Sequence, residues 1–179
     1  MSRMPFKMES PAIGDDLIVG HTTGLPEGEY SWWGNRPDDW SLLAASRGVG
    51  EVIFSSGVLP LHRGELVLIS PGHPHLFRCR QWELLWVHFL MEEEQKEVLS
   101  WNEVLPGIFH ASPGPTEFRR ALRSLLEMHR LYLARRRNWY PLARNLLDGV
   151  LIRGGAGEDG ESTVPMLLWQ AQERLRNLS

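Results

Sequence analysis

The chain has a single cysteine, Cys79, which excludes an internal disulfide and a four-thiolate zinc site. It also lacks a basic excess: 19 Lys and Arg stand against 22 Asp and Glu, a formal net charge of −3. A segment that grips nucleic acid unaided needs a positive surface, because phosphate contacts supply most of its affinity. These residues are therefore not expected to hold DNA by themselves. No apolar run approaches the roughly 18 residues that span a bilayer. The opening Met1-Ser2-Arg3-Met4-Pro5-Phe6-Lys7 has no apolar signal-peptide core, so a cytoplasmic protein is the expectation. Also missing are a Gly-x-Ser-x-Gly elbow and a phosphate-cradling glycine loop, which removes two common enzyme signatures.

What is present is ordinary globular material. Hydrophobic residues make up 42% and charged residues 23%, enough to bury one core in 179 residues. Tryptophan is abundant at eight, with Trp32, Trp33, Trp40, Trp82 and Trp86 in the first half. In a small β-domain such rings serve as core, pocket wall or interface. From residue 16 to 89, short apolar runs alternate with glycine, proline and acidic turns. The runs fall at 17–21, 29–33, 40–46, 51–55, 58–61, 65–70, 75–79 and 82–89, with Ser56-Gly57 as a hairpin turn. Many strands at this spacing predict a sandwich or a barrel. Residues 82–89 place Trp82, Leu84, Trp86 and His88 on one face and Glu83, Leu85, Val87 and Phe89 on the other. Both faces are largely apolar, so this strand is expected to be covered twice, by a barrel interior and by helices.

Beyond Met91 the period lengthens to that of a helix. Thr116 is a candidate cap for a helix carrying Phe118, Leu122, Leu125, Met128 or His129, and Tyr132. A second helix over 140–153 carries Leu142, Leu146, Leu147, Val150 and Leu151 on one broad stripe. Arg135-Arg136-Arg137 between them suits a solvated helix end, where cations oppose the macrodipole. Residues 154–162 are glycine-rich and polar, as in a flexible linker. Pro165 then opens a last helix aligning Leu168, Ala171, Leu175 and Leu178. The class expected is mainly β with C-terminal α, without internal repeats.

The sharpest local signal is Gly64-Glu65-Leu66-Val67-Leu68-Ile69-Ser70-Pro71-Gly72-His73-Pro74-His75: a turn glycine, a strand, a Pro-Gly corner, then histidine. It resembles the second motif of the cupin barrels, in the form that AraC-type sensing domains use. Arg36-Pro37 and Arg47-Gly48-Val49-Gly50 precede it and Trp82-Glu83-Leu84-Leu85-Trp86-Val87-His88-Phe89 follows it, in the family's order. Residues 142–151 are similar to the family's paired dimer helix, so the resemblance runs from Leu17 to Arg153. It implies an N-terminal arm over 1–15, a cupin-like (jelly-roll) β-barrel over 16–90 and a helical packing and dimerisation hairpin over 91–153. A flexible linker over 154–164 and a terminal helix over 165–179, similar to the start of a DNA-binding domain, would follow. The family's two helix-turn-helix units are not in these residues. The function implied is effector sensing and dimerisation in an AraC-type transcription regulator. A sugar is the first candidate for the small-molecule effector, the assembled state is a homodimer, and DNA is met only through the missing C-terminal domain. No cofactor and no catalysis are implied.

A second reading is a metal-dependent cupin enzyme, an isomerase or a dioxygenase. Such cupins hold a divalent ion with a His-x-His plus Glu group from a first motif and one histidine from the second. His75 occupies the second-motif place and His73 offers a partner, but residues 40–50 contain no histidine and Pro74 disturbs a regular strand. His62 and His88 qualify only if the fold turns them inward, so no metal ligands are assigned. A stand-alone sugar-binding dimer is a third reading. Likeness to the family's sugar-responsive members implies Thr22, Arg36, Phe77, Leu84 and Trp86 as ligand-binding residues, joined by His75 at the barrel mouth and by His88. An indole face suits the C–H side of a sugar ring and a guanidinium suits its hydroxyls. Leu84 and Phe77 stand where a sugar-binding relative has more polar side chains, which leaves a different sugar or a less polar guest open. The stripe Leu142, Leu146, Leu147, Val150 and Leu151 either pairs with its copy or packs only on the barrel and the preceding helix, and the resemblance favours pairing. His21, His110 and His129 show no pairing in sequence. Cys79 lies between Arg78 and Arg80, either of which would lower its pKa if close.

Overall fold

A computed structural model describes residues 16–25, 27–31, 37–97 and 99–155. The expected arm (1–15), Arg36, the linker beyond Gly155 and the terminal helix lie outside the described residues. The strands are β1 (Leu17–Leu25), β2 (Gly28–Ser31), β3 (Trp40–Phe54), β4 (Gly57–His62), β5 (Leu66–Ile69) and β6 (His75–Phe89). A short helix α1 (Glu93–Glu97), strands β7 (Asn102–Leu105) and β8 (Ile108–Ala111), and helices α2 (Pro115–Ala134) and α3 (Trp139–Gly154) follow. All the strand pairs are antiparallel, in the order β1-β6-β3-β5-β8-β7, with β2 added to β6 and β4 added to β3.

The spine of this sheet is the β3–β6 pair, registered from Trp40 opposite Phe89 to Phe54 opposite His75. Each strand has 15 residues and would reach about 50 Å if straight. The spine bends instead. The register shifts between Ala45 and Arg47 and again between Arg47 and Val49. Gly48 takes φ +81° and Gln81, across from it, takes φ 51°, so both strands turn together at a bulge. Val52, Phe54 and Phe77 from one half of the spine consequently share a buried cluster with Leu43, Leu84 and Trp86 from the other. This fold-back makes the cupin-like barrel.

The opposite face of the sheet carries a second cluster. Leu17, Val19, Leu42, Ala44, Leu66, Leu68, Leu85, Val87 and Phe89 pack there with Phe118, Leu125 and Met128 of α2 and Leu147, Val150 and Leu151 of α3. The alternation along 82–89 thus divides as expected, with Leu85, Val87 and Phe89 under the helices and Trp82, Leu84 and Trp86 inside. Where β6 ends, α3 takes hold of it. The buried Arg144 guanidinium donates to the Leu90 carbonyl (2.9 Å) and to Gln95 Oε1 (3.3 Å), and meets Glu92 Oε1 at 2.7 Å.

Three expectations need correction. The runs 40–46 and 51–55 are one strand, as are 75–79 and 82–89, because the bulge bends the ladder without breaking it. The sheet also does not stop at residue 90: β8 pairs with β5 and β7 with β8, a hairpin inside the segment expected to be helical. Helix α2 starts on Pro115 with Gly114 at the cap, so Thr116 is already inside the first turn; a proline at that position loses nothing, since its missing N–H would have no helical partner.

The bend depends on residue 48. A Cβ there would run into the Gln81 carbonyl, and φ +81° is strained for any side chain. Gly48→Ala is expected to cost about 2 kcal/mol, seen as a lower denaturant midpoint; an unchanged midpoint would show that the bend does not need glycine.

Candidate functional site

The inward residues of β6 follow two parities. His75, Phe77 and Cys79 face inside before the bend and Trp82, Leu84, Trp86 and His88 after it, because the extra residue at Gln81 shifts the alternation by one. All seven are buried. Thr22 joins them from β1, in register with Leu84. Of the residues expected to bind ligand, Thr22, His75, Phe77, Leu84, Trp86 and His88 are brought to one interior, and Arg36 lies outside the described residues. The lining is mostly aliphatic, with Ile18, Leu43, Val67 and Ile69 beside the aromatic rings.

Its polar atoms are few and mostly engaged. Trp86 Nε1 donates to Thr22 Oγ1 at 3.1 Å, and the indole lies so close over Gly20 that a Cβ there would collide with it. His88 Nδ1 stands 3.0 Å from Ser41 Oγ, and its ring meets that of Trp86 at 5.1 Å. His75 Nδ1 donates to the His73 carbonyl at 2.9 Å; a carbonyl only accepts, so this bond fixes the tautomer and leaves Nε2 as an acceptor. The His75 ring touches Phe54 and Phe77 at 5.8 and 5.1 Å. Burial holds the His88 imidazole down to about 3, helped by His75. Burial also lowers His75. These two residues would stand about 40 Å apart on a straight strand, and the fold-back brings them within electrostatic reach.

Other expected features sit elsewhere. The His73 ring faces the corner, where Nδ1 donates to the Ser70 and Pro71 carbonyls, each at 3.1 Å, so it does not form a chelating pair with His75. The His62 ring is on the outside, 3.2 Å from Glu65 Oε2, and His110 approaches the same oxygen at 3.7 Å. His21 donates to Glu83 (2.9 Å) and stacks edge-on with His129. The three histidines without sequence pairing are therefore paired in space. Among the described residues, no group of three or more His, Cys, Asp or Glu is placed to hold a metal ion. Cys79 points inward while Arg78 and Arg80 reach out to Glu29, Glu51 and Glu27. Burial raises the thiol instead of the arginines lowering it.

The dimer stripe is also divided. Leu147, Val150 and Leu151 are fully buried in the chain's own core, so they are not available to a partner. Leu142 and Ile152, each 53% exposed, remain on the outer side of α3, while half-buried Leu146 packs against the core. Trp82 also lies in this interior and was not among the residues expected to bind ligand; its parity with Leu84 and Trp86 is the signal for it.

A bent antiparallel barrel with a buried, weakly polar interior, its outer face covered by a helical hairpin, defines the cupin-like class of fold. The family model for the AraC-like ligand-binding domain matches residues 18–146, and the chain belongs to that family. Among solved structures, the AraC-like transcriptional activator CuxR is similar at TM-score 0.53 and 15% identity, over 90% of this chain and 60% of that one. Apo ToxT K231A from Vibrio cholerae strain SCE256 is similar at TM-score 0.52 and 6% identity, over 75% and 54%. A wild-type ToxT bound to unsaturated fatty acid gives TM-score 0.47 and 10% identity, over 74% and 50%. The chain thus spans little more than half the length of these regulators. A search of curated proteins returned no match. No helix among the described residues is long and apolar enough to cross a membrane.

The interior histidines make a pH prediction. An imidazole held neutral in the folded state takes up a proton on unfolding, so its contribution is complete above the ordinary value near 6.5 and declines as pH falls toward about 3. Unfolding free energy should therefore drop between pH 6.5 and 5, before carboxylates titrate, with a slope approaching ~1.4 kcal/mol per pH unit for each such histidine. His88→Asn, which can still meet Ser41, should make that slope shallower. Equal slopes in both proteins would place the neutral group elsewhere.

Proposed function

We propose that this chain is the effector-sensing and dimerisation part of an AraC-type transcription regulator. A small molecule enters the barrel interior, and DNA is contacted by a C-terminal domain outside these residues. The chain performs no chemistry and works in the cytoplasm. The family match over residues 18–146 carries this reading. The interior supports it, since a buried, mostly apolar lining with a few oriented polar groups is the usual form of a small-molecule site.

Between a sugar and a less polar guest, the lining favours the second. Trp86 donates its single ring N–H to Thr22, one indole face is covered by Gly20, and Leu84 and Phe77 add no polar atom. A sugar would strand several hydroxyls, and buried unpaired polar groups are costly, about 1–3 kcal/mol each. A thermal-shift screen of monosaccharides beside neutral cyclic and aliphatic carbonyl compounds tests this. Stabilisation confined to the second set is expected; stabilisation by a monosaccharide alone restores the sugar reading.

The assembled state proposed is a homodimer joined through α3. Leu142 and Ile152 lie on the side of α3 turned away from its core contacts, and Leu146, partly buried against the core, borders them. An antiparallel two-fold pairing would cover these apolar groups. Changing both Leu142 and Ile152 to Glu should weaken the dimer at least about tenfold by sedimentation, with unchanged circular dichroism. A wild-type chain that is monomeric at high micromolar concentration contradicts the pairing.

A further inference from the structure

Trp82 is fully buried in the inner cluster. Its ring lies against Gly50, where a Cβ would stand 2.6 Å from the indole carbons, and it meets Phe77 edge-on at 5.9 Å. The other buried indoles are satisfied: Trp86 donates to Thr22, and Trp101 donates to the Leu151 carbonyl at 2.6 Å. Among the described residues, Trp82 Nε1 has no hydrogen-bond partner. A buried donor without an acceptor destabilises a fold, and native proteins rarely keep one without a reason. Here the donor belongs to the cluster that also holds Phe77, Leu84 and Trp86, with His75 stacked on Phe77 beside it.

We propose that the Trp82 indole N–H is the specificity-determining donor of the effector site, and that it bonds to a neutral oxygen acceptor, a ketone, ester, lactone or amide carbonyl, on an otherwise apolar guest. This rests on the interior being the effector site. Among the described residues a charged guest would meet no cation: Arg78 and Arg80 bond outward to glutamates, Arg144 serves the helix side, and Arg47 is exposed. Burial also opposes protonation of His75 and His88. A sealed carboxylate would lose its hydration without a counter-ion.

Three probes of similar size separate the possibilities: methylcyclohexane, cyclohexanone and cyclohexanecarboxylate. The readout is the indole N–H spectrum of the full chain labelled with ¹⁵N-tryptophan at pH 7. The Trp82 signal is assigned through its strand neighbours and by its loss in Trp82→Phe, and the Trp86 signal reports occupancy. Cyclohexanone should move both signals, with Trp82 going downfield as its N–H gains an acceptor. Methylcyclohexane should move Trp86 without the downfield change at Trp82, and the carboxylate should move neither. Trp82→Phe should weaken cyclohexanone about tenfold and leave methylcyclohexane within about twofold.

Cyclohexanone moving Trp86 while Trp82 stays still would overturn the inference and leave the interior site standing. A Trp82 signal already downfield without any probe, as a trapped water would cause, and unmoved on binding has the same meaning. Carboxylate binding that moves Trp82 overturns the neutral guest. No movement of either tryptophan by any probe contradicts the interior site itself.

Discussion

Two 15-residue strands cannot run straight through a domain of this size, and the geometry that folds them lies at one level. Gly48 and Gln81 take left-handed backbone conformations opposite each other, the ladder bulges there, and each strand turns through the bend without losing its partner. The inner cluster exists because of this. Side chains from the two halves of one ribbon meet across an interior that a flat sheet would not have. The same bend shifts the inward parity of β6 by one residue, which is why both His75 and His88 face inside.

The outer face explains why the barrel and helices form one unit. Leu85, Val87 and Phe89 pack under α2 and α3 while their neighbours Leu84, Trp86 and His88 line the interior. One strand therefore faces both the interior and the helices. Its end is held through the Leu90 carbonyl by Arg144, which is itself fixed by Glu92 and Gln95. Removing one partner of a buried charge group is expensive, so α3 and the end of β6 are placed to move together.

Much of this was legible in the chain. The alternation over 82–89 gave both faces correctly because it is a local property of one strand, and the corner at 64–75 marked the family. The bend was not legible, since Gly48 reads equally well as a turn that ends a strand and Gln81 carries no signal for a positive φ. The β7–β8 hairpin was missed because Asn102–Leu105 and Ile108–Ala111 are too short for a period to show. The α3 stripe reads as one surface, although Leu147, Val150 and Leu151 point to the core and Leu142 and Ile152 away from it; a helix that is apolar over a wide arc does not declare which part meets its own fold. The pairings of His21 with Glu83 and His110 with Glu65 span long stretches of sequence, and only the folded chain reveals them.

The central claim is that the space enclosed by the folded-back sheet receives the effector. A crystal structure with a stabilising small molecule bound tests it most directly. Density for the molecule bounded by Phe77, Trp82, Leu84 and Trp86 is the result this account predicts. Density on the outer face, between α2 and the sheet, with the interior closed by its own side chains, would contradict it.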